Sequence, residues 1–368
     1  MFRQLKKFTL KIIAGANAAS IAVMLLVGNA DRVDPAAHPA IANITLAFPA
    51  LLAVNAAFLV FWLMAKPRWA ALPVGGFILC YGPVRTYCPL NITKPVPKGA
   101  IKVLSYNIWS LSSWKDSTQN CEIADYLLRQ DADIVCLEEA GLDKWKRTRF
   151  DKIMAAKYGY RDSSKVEGIV DEIDIFSKFP IVGKEKVKYP SRTNNSAAFH
   201  LLIGGDTVTV VANHFESNGF SPTQKERFKQ MVKGGLEVDS AKVESKALFA
   251  RLVEVAARRA PQADSVAAYI AARPGRSFIV CGDFNDTPIS YVRRTVAKGL
   301  TDCYVETGNG PGISYHSNAF FVRIDNILCS KDWQPYGCKV DNTIGASDHY
   351  PIYCWLKKKP KQSAGKKQ

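Results

Sequence analysis

Ser277-Phe278-Ile279-Val280-Cys281 reads as a strand buried on both faces, and it runs into Gly282-Asp283-Phe284-Asn285. Alternation along an extended chain would point the Asp283 carboxylate and the Asn285 carboxamide the same way, with Phe284 turned into the core. Asp286 and Thr287 read as N-caps, and Pro288 as the opening of a helix over 288–298. Similar polar groups flank other apolar runs: Ser105-Tyr106-Asn107, Leu137-Glu138-Glu139, Ala212-Asn213-His214, Arg323-Ile324-Asp325 and Ser347-Asp348-His349. Any one of these is an ordinary turn residue or cap. Recurring at the ends of successive buried strands, they describe a site assembled from distant parts of the chain.

The inventory suits one chemistry. Carboxylates without thiol partners favour a hard divalent cation such as Mg²⁺, held by few protein ligands together with phosphate oxygens and water. A His and an Asp can pair, so that the carboxylate orients the ring and stabilises its charged form. A second His and an Asn can donate to charge developing on a phosphoryl group. Together they fit metal-assisted hydrolysis of a phosphoester by water.

The elements needed to position these groups can be read in order. Ile101–Ile108 is expected as a strand, Glu122–Arg129 as an amphipathic helix, then Asp133–Leu137 and Ile173–Ser177 as strands. Phe199–Ile203 and Thr207–Asn213 form a hairpin around Gly204-Gly205. Residues 221–272 are helix-forming, including Ser245–Ala260 and Asp264–Ala272. After the strand ending at Asp283 come the 288–298 helix and strands Ile324–Cys329 and Tyr350–Leu356. Alternating strands and helices imply an α/β domain of about 260 residues, with sheets packed inside helices.

Composition divides the 368-residue chain. Residues 1–90 read as a membrane anchor with spans near 8–28, 41–64 and 70–88, residues 91–99 as a Pro-rich linker, 100–356 as the catalytic domain and 357–368 as a basic tail. A signal peptide would account for the first apolar run and not for the second. The third run is shorter and interrupted by Pro73, Gly75, Gly76 and Pro83, so two or three spans are expected. Arg3, Lys6, Lys7 and Lys11 precede the first run, and Lys66 and Arg68 lie between the second and third. The positive-inside rule places both groups in the cytoplasm, and three spans then put the catalytic domain outside it. The formal charge of +16 fits a phosphate-bearing partner. Lys357, Lys358, Lys359, Lys361, Lys366 and Lys367 read as a solvated tail. The nine cysteines contain no CxxC pair, which argues against zinc. Cys136, Cys281 and Cys329 read as core residues, whereas Cys303, Cys338 and Cys354 are left open to pairing.

Gly282-Asp283-Phe284-Asn285 combined with Ser347-Asp348-His349 resembles the endonuclease/exonuclease/phosphatase superfamily, over roughly residues 100–356. The resemblance implies the DNase-I-like four-layer α/β sandwich and a Mg²⁺-dependent (or Mn²⁺-dependent) phosphoester hydrolase. Carried onto this chain, Glu139, Asn107 and Asp348 would hold the metal, and Asp283 would activate water beside Asn285. His349, oriented by Asp325, would bind the scissile phosphate, and His214 would stabilise the transition state. Glu138 stands where the family usually has Gln, and Trp109 where some nucleases carry an acid. His316, Glu216 and Asn218 are lesser candidates, and His200 reads as structural. The expected partners are the lipid bilayer and a phosphoester substrate, a phosphodiester before a monoester and an extracytoplasmic phospholipid head group or organic phosphate by its location, with no obligate protein partner evident. The alternative within the class is a nuclease acting on nucleic acid; outside it, a non-catalytic binding module on the same fold.

Overall fold

The computed structural model describes residues 2–165, 171–191, 193–235, 237–317 and 319–360. Helix α1 (Phe2–Gly28) leads through α2 (Pro39–Ala42) and a tight turn at Asn43–Ala47 into α3 (Phe48–Ala65). Two helical stretches, Arg3–Arg32 and Pro39–Ala65, are long and apolar enough to cross a membrane. The third expected span is not a single helix: it is divided at Cys80 into α4 (Ala71–Leu79) and α5 (Tyr81–Tyr87). Pro83 has no N–H to offer the carbonyl of Leu79, and its ring crowds that carbonyl, so the helix breaks one turn earlier.

The helices form a bundle. A Cβ added to Gly28 would lie 3.0 Å from Phe48 and from Pro83 and 3.1 Å from Cys80, so α1, α3 and α5 meet at that end. Asn17 Nδ2 donates to Asn55 at 3.3 Å and Trp62 Nε1 donates to Asn17 Oδ1 at 3.1 Å, each polar group satisfied by another helix. Trp62 also meets Trp69, with ring centroids 5.2 Å apart. Lys66 and Arg68 therefore sit toward the N-terminal end of α1, while α4 and α5 run back to the Gly28 end.

The remaining chain is β1 (Ile101–Asn107), α6 (Glu122–Gln130), β2 (Ile134–Glu138), α7 (Lys144–Met154), β3 (Tyr160–Lys165), β4 (Glu172–Ser177), β5 (Ile181–Lys186), β6 (Ser196–Ile203), β7 (Asp206–His214), α8 (Pro222–Val232), α9 (Val238–Ala271), β8 (Ser277–Asp283), α10 (Tyr291–Val296), β9 (Thr301–Asp302), α11 (Cys303–Thr307), β10 (Asp325–Cys329), β11 (Trp333–Val340) and β12 (Ile352–Lys358). They build two six-stranded sheets, ordered β11-β12-β1-β2-β4-β3 and β5-β6-β7-β8-β10-β9. Val103, Cys136 and Ile175 of one sheet pack against Phe199, Val210, Cys281 and Ile327 of the other. Helices α6 and α7 cover one outer face, with Leu127 and Phe150 under them, and α9 and α10 cover the other through Val266 and Val292. The result is the four-layer α/β sandwich.

Several local expectations are corrected. The helix after β8 does not open at Pro288; Ser290 caps it, accepting from Arg293 N at 3.2 Å. Helix α9 is continuous through Pro261 because Val255, Ala260, Ala263 and Val266 are all buried on either side of it. That packing outweighs the roughly 3 kcal/mol cost of an interior proline. Strands β3, β5 and β11 lack the apolar run that marks their neighbours, so the sequence pattern does not predict them. Lys357 and Lys358 belong to β12, where they pair with Gln334 and Trp333 of β11, and not to a free tail. Lys361, Lys366 and Lys367 lie outside the described residues. All nine cysteines are free. The 91–99 segment has no regular structure, yet Asn91 is tied down by donating to the carbonyls of Val305 and Gly308.

Candidate active site

Strand pairing gathers the polar groups. Each sheet holds one parallel pair, β1 with β2 and β7 with β8, so Asn107 is level with Glu138 and His214 with Asp283 at the C-terminal ends. Strand β10 runs antiparallel to β8, which sets its first residue, Asp325, opposite Asp283. Strand β12 runs antiparallel to β1, which brings His349, just before it, to the same edge. Alternation does the rest: Asn107, Glu138, His214, Asp283 and Asp325 share the inward face with Val103, Cys136, Val210, Cys281 and Ile327. The polar groups therefore converge where the inter-sheet core opens.

Gly282 has φ +128°, and a Cβ there would stand 1.9 Å from the Asn213 carbonyl oxygen, so no side chain fits. The strand ends at Asp283, and Asn285 adopts a left-handed φ of 51°, not the extended conformation expected. The two side chains meet all the same: Asn285 N donates to Asp283 Oδ1 at 2.8 Å and Asn285 Nδ2 to Oδ2 at 3.2 Å. Phe284 is fully buried, as expected. Glu139 also has a left-handed φ of 51°, and Trp109, Ser110 and Leu111 are left-handed in succession at 47°, 49° and 50°. Strained non-glycine backbone of this kind concentrates at functional sites.

Asp283 Oδ2 is the hub. Asn107 Nδ2 donates to it at 3.2 Å, His349 Nε2 lies 3.6 Å away and His214 Nε2 3.8 Å away. Each ring is held from behind by its own carboxylate: His349 Nδ1 by Asp325 at 2.9 Å and His214 Nδ1 by Asp171 at 3.0 Å. Asn107 Nδ2 also donates to Glu139 Oε1 at 3.0 Å. Burial opposes charge on His214, but Asp171, Asp283 and Glu139 outweigh it and raise its pKa to about 10. His349 is likewise held charged to about 10, against burial, by Asp325 and Asp283. Burial raises Asp283 to about 6, although His349 pulls the other way.

The sequence profile of the Endonuclease/Exonuclease/phosphatase family matches residues 104–349. The chain belongs to that family. Its N-terminal residues 10–87 match a second profile, a domain of unknown function (DUF8431). Among solved structures, an endonuclease/exonuclease/phosphatase from Beutenbergia cavernae is similar at 18% identity and TM-score 0.50, covering 71% of this chain and 72% of that one. ANGEL2, a 2',3'-cyclic phosphatase solved with adenosine-2',3'-vanadate, aligns at 13% identity and TM-score 0.50, over 74% of this chain and all of that one. Both likenesses are of fold. No curated protein sequence matches the chain.

In this member of the family, Asn107, Glu139, His214, Asp283, Asn285, Asp325, Asp348 and His349 all reach one cavity or the ring of hydrogen bonds behind it. Of the two glutamates, Glu139 is the one facing the cavity, its side chain 33% exposed. Glu138 is fully buried, accepts from Ser105 Oγ at 2.8 Å, and burial raises its pKa well above the usual value. Burial thus favours the uncharged form of the carboxyl at this position. Asn218 lines the cavity, whereas Glu216 accepts from Ser191 and Gln262 instead of facing it. His316 stacks on Tyr350 at 3.7 Å, and His200 bonds Thr209 and Glu185 within its sheet. Three further residues escaped sequence reasoning. Asp171 has no apolar run to mark it as a strand end, and its interest emerges only from contact with His214. Arg259 is buried on α9, where it bonds the Asn285 carbonyl and donates to Asn218 Oδ1 at 2.6 Å. Lys225 on α8 reaches Asp348 at 3.9 Å. Arg259 lies in Val253-Glu254-Val255-Ala256-Ala257-Arg258-Arg259-Ala260, where nothing in the pattern sets it apart from Arg258.

Proposed function

We propose a membrane-anchored, divalent-metal-dependent hydrolase of phosphoester bonds that prefers phosphodiesters and works on the extracytoplasmic side. The observation carrying this reading is the convergence on Asp283 Oδ2 of two imidazoles, each backed by its own carboxylate. Asp283 is placed to take the proton of an attacking water, and Asn285 and Asn107 hold that carboxylate in line. His349 and His214, both charged, face the position where negative charge grows on the phosphoryl oxygens. Water adds across the P–O bond of the diester, giving a phosphomonoester and an alcohol.

Asp283, Asp325 and His349 offer ligand atoms within 4.8 Å of one another, but His349 and Asp325 are already committed to each other by a 2.9 Å hydrogen bond. A cation fits better at Glu139, which among the described acids meeting His214 and His349 is the substantially exposed one and shares its cavity with Asp348. Asn107 turns Nδ2 to Glu139 while its Oδ1 accepts from Trp109 N at 3.1 Å, so it would hold that carboxylate in place. Mg²⁺ or Mn²⁺ bound there would neutralise phosphoryl charge and polarise the ester.

Residues 43–46 meet the catalytic domain at the same end as Gly28, so the basic residues of the N-terminus and Lys66–Arg68 lie at the far end of the bundle. This arrangement supports a cytoplasmic far end and an extracytoplasmic site, with α4 and α5 together supplying the return crossing. Purified full-length chain with Mg²⁺ should cleave bis(p-nitrophenyl) phosphate faster than p-nitrophenyl phosphate, and EDTA should abolish both. Activity against neither ester, with single-stranded DNA also uncut, would favour the binding-module reading; cleavage of DNA alone would favour the nuclease.

A further inference from the structure

The connector between α1 and α3 reaches the catalytic centre. Asn43, Thr45 and Leu46 line the same cavity of about 200 Å³ as Glu139, Asp283 and His349. Thr45 is 1% exposed, and its Oγ1 accepts from Thr287 Oγ1 at 3.2 Å, two residues past Asn285. Ile289, two residues further on, packs with Met24, Val27, Phe48 and Cys80 of the anchor. The loop that carries Asn285 is therefore clamped between the second sheet and the membrane segment.

The cavity has two characters. Its floor is charged, while Leu46, Phe220, Leu252, Phe320 and Val322 make apolar walls. Phe320 stacks on Phe220 with centroids 5.7 Å apart and on Phe228 at 3.9 Å, giving that wall a rigid aromatic face. The volume is below the roughly 300–1,000 Å³ that encloses a whole drug-sized ligand, so a phosphate and its nearest groups fit while a bulky remainder stays outside. What lies outside is set by the connector, which lies near the start of the candidate span Pro39–Ala65 and exposes Ile44 and Leu46.

We propose that the Asn43–Ala47 connector is a substrate-contacting wall of the active site, and that it selects phosphodiesters with an apolar remainder: phospholipids of the bilayer in which the anchor sits. This rests on the hydrolase reading above and assigns it a substrate class. The anchor is then part of the site, and Leu46 determines specificity by lying between the phosphate floor and the acyl chains.

The test uses full-length protein in phosphatidylcholine/phosphatidylglycerol vesicles with Mg²⁺. Two turnovers are measured on one preparation: release of phosphorylated headgroup or diacylglycerol from vesicle lipid, and cleavage of bis(p-nitrophenyl) phosphate. Wild type should cleave both. Leu46→Glu should lower the lipid-to-soluble ratio about tenfold or more, the range expected for losing an apolar contact in a selective pocket. Leu46→Ala, milder and safe for folding, should lower it in the same direction. A ratio unchanged in both variants overturns the proposal, as does wild type that cleaves the soluble ester and leaves the lipid intact; that second outcome spares the hydrolase reading. Failure to cleave either ester rejects the hydrolase reading together with this one.

Discussion

The Asp171 carboxylate stands 3.0 Å from Nδ1 of His214, and its second oxygen accepts from Asn195 Nδ2 at 2.9 Å. The ring is thereby fixed with Nε2 between Glu139 and Asp283, 3.8 Å from each. Asp171→Asn keeps the shape and removes the charge that offsets burial of the imidazolium. kcat/KM should fall about 10–100-fold, as for other orienting partners. The alkaline limb of its pH profile should also move to lower pH. A profile superimposable on wild type would reduce Asp171 to a packing role.

Asp283→Asn replaces a proton acceptor by a near-isostere among donors that hold either group. Turnover should drop about 10²–10⁴-fold, with circular dichroism unchanged. Near-normal turnover would remove Asp283 from the role of base.

The pH profile of kcat/KM should be broad. Burial raises Asp283 to about 6, so activity should rise as it deprotonates through that pH. His349 and His214 keep their charge to about 10 and should set the fall on the alkaline side. The His349 pKa is above its ordinary value of 6.5, so its contribution to stability is fully present below 6.5 and lost as pH rises to about 10. Urea denaturation of wild type and His349→Gln across that interval measures the second effect, and equal slopes would contradict it.

The adjacent glutamates should separate cleanly. Glu139→Gln should shift the Mg²⁺ requirement far upward, whereas Glu138→Gln should leave turnover near wild type. Glu138 has a folded pKa raised by burial above 4.5, so its stabilising effect is complete below 4.5 and lost as pH rises through the folded value. Glu138→Gln should therefore gain stability relative to wild type as pH increases. Metal titrations in the reverse order would mean that the wrong carboxylate had been assigned.

Alkaline phosphatase fused after Lys98 should be active if α4 and α5 complete the third crossing. An inactive fusion, paired with an active cytoplasmic reporter at the same point, would leave the site inside the cell.

How much of this was legible in the residues follows from the range over which each force acts. Alternation is local, so the apolar runs before Asn107, Glu138, His214 and Asp283 marked the strands, but runs buried on both faces do not say which sheet face their last residues take. Pairing is not local. Whether those four ends meet depended on β1 lying parallel to β2 and β7 to β8, and on the two sheets facing each other across Val103 and Cys281. Asp283 and Asn285 were matched by their spacing, yet they meet through a left-handed turn that pleat geometry did not indicate. Long-range burial overrides local preference at Pro261, where the pattern predicts a helix end and the helix runs on with Ala260 and Ala263 fully buried. Asp171, Lys225 and Arg259 carry no local pattern at all; each acquires meaning from a partner more than twenty-five residues away. The connector is the extreme case. Thr45 lies in an unremarkable turn between two apolar helices, and only the docking of the bundle, through Ile289 on Met24 and Phe48, sets it against Thr287 242 residues later.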